Sequence, residues 1–419
     1  MYKAPRGTAD ILPEEQPYWR LIEAHASALC EQYGYQRIDT PVFEESELFA
    51  RSVGGATDVI EKETYSFADR SGDWMTLRPE GTAAVCRAYL EHGMRVLPQP
   101  VRLYSVRVPM FRYDRPQAGR QRQFHQINVE AIGNGDASLD AEIIELAWRF
   151  FAELGLHDLD LIINSIGDRD SRASYVEALL SYYHPHIESL CPDCKSRFKT
   201  NPLRLLDCKK QSCQPYLVDA PRSVDHLTDD SRKHWDDLTG YLTTLGLDYT
   251  VDHRLVRGLD YYSRTVFEIQ PPVEGAQSTL GGGGRYDGLI EQLGGQPTPG
   301  VGFACGVERV ILNLKRQGIE PPRAGELDAV VVYMGDPAKE AAVMLASKLR
   351  AAGVQTVLAP AGRSLKAQMR YASSLAAAHV LVLGEDELAQ GTVTVKDMAG
   401  GEQRQVPLDD APAAVSRSS

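Results

Sequence analysis

Hydrophobic positions recur along the chain with two periods, and the switches between them mark out its elements. Leu21, Ile22, Ala24, Ala28 and Leu29 fall at helical spacing and predict a helix over Pro13–Tyr33, with Gly34 where a C-terminal cap is wanted. Tyr35–Thr40 reads as a strand stopped by Pro41, and Leu48–Ile60 as a helix followed by a loop. Tyr65–Phe67 and Trp74–Leu77 predict a hairpin, and a helix is expected at Ala83–His92. Two period-two strands flank a loop holding Pro116 and Gly119, and the second places Gln126, Asn128 and Glu130 on one face. Ser138–Leu154 is a helix with Ile143, Ile144, Leu146, Ala147, Phe150 and Phe151 on its buried side, and Leu159–Ser165 is a strand. Residues 168–239 are mainly helical with little strand pattern, which predicts an inserted helical subdomain. Strand character returns at Asp248–Asp252 and Thr265–Gln270, and Gly300–Leu312 reads as a glycine-rich strand entering a helix. The stretch from Gly318 to Glu326 is the best linker; beyond it, alternating strands and helices describe a separate α/β domain.

Composition adds bounds. The chain has 419 residues, 43% hydrophobic and 24% charged, the proportions of a globular protein with room for two or three domains. A net charge of −12 argues against a surface basic all over, although phosphate contacts are local and need only a basic patch. No apolar run approaches the roughly 20 residues of a membrane span, so no membrane association is expected. The N-terminal stretch lacks the apolar segment of a secretory signal, and an odd count of seven cysteines favours a reducing compartment; a cytoplasmic location is expected.

Three places carry candidate chemistry. The loop after Phe111 holds Arg112, Arg115, Arg120 and Arg122 against one acid, Asp114, beside the polar face of Gln126, Asn128 and Glu130. That pairing suits an anionic ligand held next to a small polar one. Glu80 follows Pro79 and precedes a helix, placed either as a first-turn acid or, with Thr82, as an acceptor for an ammonium group. Gly281–Gly284 before Arg285-Tyr286-Asp287 lets the backbone approach a ligand or another strand closely, but lacks the lysine and serine or threonine of a phosphate-binding P-loop.

Taken in order, these blocks resemble the histidyl-tRNA synthetase family of class II aminoacyl-tRNA synthetases. The first helix with the strand ending at Pro41 is similar to motif 1, Phe111–Glu130 to motif 2, and Gly302–Leu312 to motif 3. Two blocks peculiar to the histidine enzymes, RGLDYY at 257–262 and GGGRYDG at 282–288, are both present. The resemblance implies an α+β fold: a class II antiparallel sheet with helices, a helical insertion, and a C-terminal α/β anticodon-binding domain. The corresponding boundaries are a catalytic domain at 1–320 with the insertion at 168–239, a linker at 321–327, and the anticodon-binding domain at 328–419. The implied reaction joins histidine to ATP as histidyl-adenylate, then transfers the histidyl group to tRNA-His. Magnesium arrives with ATP, and motif 1 implies a homodimer.

The resemblance also implies roles. Arg112 and Arg257 meet the α-phosphate, and Arg257 orients the histidine carboxylate where related enzymes place a metal ion. Arg120 and Arg309 handle the outer phosphates and the adenine face. Asp114 stands where this class commonly has glutamate, one methylene longer, so its reach to the adenine is shortened. Glu80, Thr82 and Gln126 hold the α-ammonium. Glu130 accepts from the imidazole N–H while the Tyr262 hydroxyl donates to the other nitrogen, with Tyr261 beside them. Arg115 and Gln117 face the acceptor end of the tRNA. The remaining motif, Cys191-x₂-Cys194 with Cys208 and Cys213, resembles a four-thiolate zinc spacing, though four residues separate the last pair. The family reaction needs no zinc, so free or redox-active thiols are expected and no residue is assigned to a metal.

Overall fold

The computed structural model describes residues 2–53, 63–113, 116, 120–272, 279–322 and 327–415, and divides into two compact units, Met1–Pro321 and Pro322–Ser419. The strands of the first unit are β1 (Gln36–Arg37), β2 (Phe43–Glu45), β3 (Tyr65–Ala68), β4 (Trp74–Leu77), β5 (Val101–Phe111), β6 (Gln123–Ile132), β7 (Asp160–Ser165), β8 (Thr250–Val251), β9 (Ser263–Gln270), β10 (Gly281–Arg285) and β11 (Gly300–Gly306). Eight of them form one sheet in the order β1-β5-β6-β11-β10-β9-β7-β8, antiparallel through the middle and parallel only at the edge pairs β1–β5 and β7–β8. β2, β4 and β3 make a small separate sheet.

Alternation along the central strands sorts the sheet into two faces. Ile127, Val129, Ala131, Phe267, Ile269, Val301, Phe303 and Cys305 point to the back and are sealed by the helices Gln16–Gln32, Ala137–Glu153 and Val307–Arg316. Each helix carries an apolar stripe at 3.6-residue spacing that finds this face. The helix boundaries follow local signals: Asp136 accepts from Ser138 N–H at the start of Ala137–Glu153, and Gly34 takes φ +76° just past Gln16–Gln32, as its place at the cap requires. The expected strand at 35–40 shrinks to β1, an edge pairing of two residues. The expected helix at 48–60 forms as Ser46–Val53, and its continuation lies outside the described residues.

Within the segment expected as an insertion, two cores separate. Tyr175, Leu179, Tyr183, Leu203, Leu205, Leu206 and the four cysteines pack together, whereas Trp235, Leu238 and Leu242 of the helix Asp229–Thr244 join the main core behind the sheet. The second unit is built on β12 (Ala329–Tyr333), β13 (Thr356–Leu358), β14 (His379–Leu383), β15 (Thr392–Asp397) and β16 (Gln403–Pro407), in the order β13-β12-β14-β15-β16. β12 runs parallel to both neighbours, so Val330 and Val332 bury on one face and Val331 and Tyr333 on the other.

Candidate active site

The front face of the large sheet has almost no side chains at its centre. In register, Gly302 faces Glu130, Ala304 faces Asn128 and Gly306 faces Gln126; on the next strand Gly284 faces Gly302 and Gly282 faces Ala304. Five small residues therefore pave a floor, with Glu130, Asn128 and Gln126 along one side and Glu268, opposite Gly282, along the other. The glycines are needed here. A Cβ on Gly302 would lie 2.0 Å from Glu130 Oε2, and one on Gly282 would lie 3.0 Å from Arg257 Nη1. On the back face, a Cβ on Gly283 would meet the Gly302 carbonyl oxygen at 1.9 Å, so the run serves close strand packing.

Glu130 sits at one end, 2% exposed. Tyr286 Oη donates to its Oε2 at 2.6 Å and Thr82 Oγ1 to its Oε1 at 2.7 Å. Burial nevertheless pushes its carboxyl up to about 8, the two hydroxyl donors opposing and the neighbouring Glu80 adding to the rise. Glu80 is held at the N-terminus of the helix Thr82–Glu91, accepting from Thr82 N–H at 2.7 Å, Ala83 N–H at 2.9 Å and Tyr261 Oη at 3.3 Å. Burial raises its carboxyl as well, against those backbone donors. Glu80 is thus the acid at the first turn of that helix, and a carboxylate with three donors keeps acceptor capacity for another.

Arg257 lies across the other end of the floor. Its guanidinium pairs with Glu268 and lies 5.6 Å from the centroid of the Tyr262 ring, and Thr279 Oγ1 donates to the second oxygen of Glu268 at 2.9 Å. Burial works against its charge, but Tyr262 and Glu268 hold it above its ordinary value. Its Nε is buried without a hydrogen-bond partner. Arg112 donates from Nε to the Pro79 carbonyl oxygen at 3.0 Å, and Arg309 from Nη1 to the Thr279 carbonyl oxygen at 2.8 Å. Burial lowers both, and their mutual repulsion with Arg120 and, for Arg309, Arg257 lowers them further. Arg120 is within 3.5 Å of Glu63. Four arginines scattered over nearly 200 positions are therefore brought into one electrostatic neighbourhood beside the floor.

The structure thus gathers Glu80, Thr82, Arg112, Arg120, Gln126, Glu130, Arg257, Tyr261, Tyr262 and Arg309 around a single face, while Asp114, Arg115 and Gln117 lie outside the described residues. Two contributors were missed by sequence reasoning. Tyr286 holds Glu130, and its signal was its place inside GGGRYDG. Glu268 holds Arg257, and its signal was a carboxylate alternating with Phe267 and Ile269 in a strand otherwise buried. The arginine of the same block, Arg285, is structural: fully buried, it donates to Asp140 at 3.1 and 2.5 Å and to Asp287 at 3.1 Å. Glu308 is a brace, accepting from His125 N–H at 3.0 Å and meeting His125 Nδ1 at 2.8 Å.

Comparison with known proteins agrees with this arrangement. The family description "Histidyl-tRNA synthetase" matches residues 7–310 and "Anticodon binding domain" matches residues 328–418. The histidine–tRNA ligase of Dehalococcoides mccartyi is 57% identical over 409 residues, 98% of each chain, and that of Geobacillus kaustophilus 48% over 412 residues, 98% of this chain and 96% of its own. The crystal structure of apo S. aureus histidyl-tRNA synthetase superposes with a TM-score of 0.83 at 42% identity, covering 99% of this chain and all of that one. With the glycine floor, the converging arginines and both histidine-specific blocks in place, this chain belongs to the histidyl-tRNA synthetase family of class II aminoacyl-tRNA synthetases.

Proposed function

We propose that the residues around the glycine floor divide between them the reaction of this family, ATP-dependent attachment of histidine to tRNA-His through histidyl-adenylate. The histidine carboxylate is already a nucleophile at neutral pH, so the site has to align two anions and offset the charge that builds on the α-phosphate. Arg257 and Arg112 take that task, with Arg257 bridging carboxylate and phosphate. The observation that carries this reading is the buried, unpartnered Nε of Arg257 above a floor of glycines, a donor left for an incoming anion. Arg309 and Arg120 contact the outer phosphates and the adenine face, and Asp114 the adenine. Magnesium would be carried in with the ATP substrate and would offset phosphate charge, with no protein carboxylate assigned to it.

Glu80, Thr82 and Gln126 receive the α-ammonium. Glu130 accepts from the imidazole N–H and Tyr262 donates to its other nitrogen, with Tyr261 packed alongside and Tyr286 orienting Glu130. Arg115 and Gln117 meet the acceptor end of the tRNA, and residues 328–419 its anticodon. A homodimer in the cytoplasm completes the reading. Its support is the run of exposed apolar side chains on and around the small sheet next to motif 1, Val42, Phe43, Phe67 and Trp74. Pyrophosphate exchange with each amino acid in turn is the test: histidine alone should drive it, and equal exchange with another amino acid would refute the assignment of Glu130 and Tyr262.

A further inference from the structure

The insertion carries a cluster that the ligase chemistry does not use. Cys191, Cys194, Cys208 and Cys213 are all buried, and their sulfur atoms lie within 4.8 Å of one another. Two separate loops bring them together. Cys191 precedes the helix Pro192–Thr200 and Cys194 lies in its first turn, while Cys208 and Cys213 bracket a tight turn that ends in the short helical segment Gln211–Cys213. Four sulfurs around zinc, each about 2.3 Å from the ion, form a tetrahedron with edges of about 3.8 Å. The Cys191 and Cys208 sulfurs are 3.8 Å apart, against about 2.05 Å in a disulfide.

Two features distinguish this from cysteines packed merely as small apolar residues. Backbone N–H groups donate to sulfur, that of Cys191 to Cys213 Sγ at 3.3 Å and that of Lys210 to Cys208 Sγ at 3.5 Å, the kind of outer contact that orients sulfur ligands around a metal ion. The exposed Lys209 and Lys210 also follow Cys208 directly, where the negative charge of four thiolates around a divalent ion wants compensation. We propose that Cys191, Cys194, Cys208 and Cys213 bind one zinc ion as a closed tetrathiolate site that holds the insertion in its folded form.

The site is structural, with all four positions filled by protein and none left for water or substrate. Its consequence reaches the reaction centre through packing. The helix Pro192–Thr200, which follows Cys191, is followed by Asn201, whose Nδ2 donates to Asp260 Oδ1 at 2.7 Å; Val256, the residue before Arg257, packs against the same cysteine-containing core. Zinc thereby braces the RGLDYY segment from outside.

Elemental analysis of the full-length protein, purified without chelators and under reducing conditions, tests the proposal. About one zinc per chain is expected, falling to less than about a tenth in the Cys208→Ser/Cys213→Ser variant. Cobalt(II) exchanged into the unaltered protein should give the intense visible bands of a tetrahedral thiolate site, a readout that does not depend on any variant folding. Less than about a tenth of an equivalent of zinc, even after incubation with zinc, overturns the proposal. So do iron in its place, or disulfides in the mass of the unreduced protein. Because zinc contributes no group to the reaction, histidine-dependent exchange by the unaltered protein reports on the ligase reading separately.

Discussion

Replacing Glu130 with glutamine should make the protein more stable and a poorer histidine enzyme, and the size of the first effect follows from the structure. Glu130 is buried, and its carboxyl is pushed from its ordinary 4.5 up to about 8. Between those values the native state keeps a proton that the unfolded chain has released, so stability falls as pH rises through the window and levels off above it. Each unit of displacement is about 1.36 kcal/mol, which makes the cost about 3 kcal/mol at pH 7 and about 5 kcal/mol above pH 8. Glu130→Gln removes the titration while keeping the shape, and the Tyr286 and Thr82 hydroxyls can rotate to serve an amide. Denaturant unfolding of both proteins, followed through the transition of the first unit between about pH 5 and pH 9, should give curves that diverge with rising pH. In parallel, above about pH 8, where Glu130 ionises, the neutral amide should lower kcat/KM for histidine in pyrophosphate exchange by about tenfold, the difference between a charge-assisted and an ordinary hydrogen bond, and the gap should narrow below that pH, where both acceptors are neutral. If the two unfolding profiles run parallel, Glu130 is not a suppressed carboxylate in the native state and the electrostatic account of this end of the site is wrong.

Arg257→Ala should reduce adenylate formation by about 10²–10³-fold with circular dichroism unchanged, since it removes charge compensation felt mostly in the transition state. Near-normal exchange would remove Arg257 from the reaction. Arg285→Ala should instead act on folding, costing about 3–5 kcal/mol by leaving the buried Asp140 with only His234 Nε2, 3.3 Å away, in place of the guanidinium. A soluble, fully stable Arg285→Ala protein would show that this network is dispensable. Deleting residues 327–419 should largely spare exchange and weaken charging of tRNA-His, and equal loss of both would count against a dedicated tRNA-binding unit.

Much of this protein is written locally. The alternation of Gln126, Asn128 and Glu130, the stripe of Ile143, Ile144, Ala147, Phe150 and Phe151, and the change to a repeating strand–helix pattern near Asp328 are periodic signals, and periodicity survives without tertiary context. They define the strands, the helices and the change of architecture after the linker, and the blocks at 257–262 and 282–288 identify the family. Partnership across the chain is another matter. Which tyrosine hydroxyl holds Glu130 depends on the register that sets Gly284 opposite Gly302 and Gly302 opposite Glu130, and that register spans more than 150 residues. The same holds for Arg285 with Asp140, for Arg257 with Glu268, and for the sulfurs of two loops meeting at one point. A hydrogen bond or a thiolate cluster needs atoms within a few ångströms of each other, and only the folded sheet and the packed insertion bring those atoms that close.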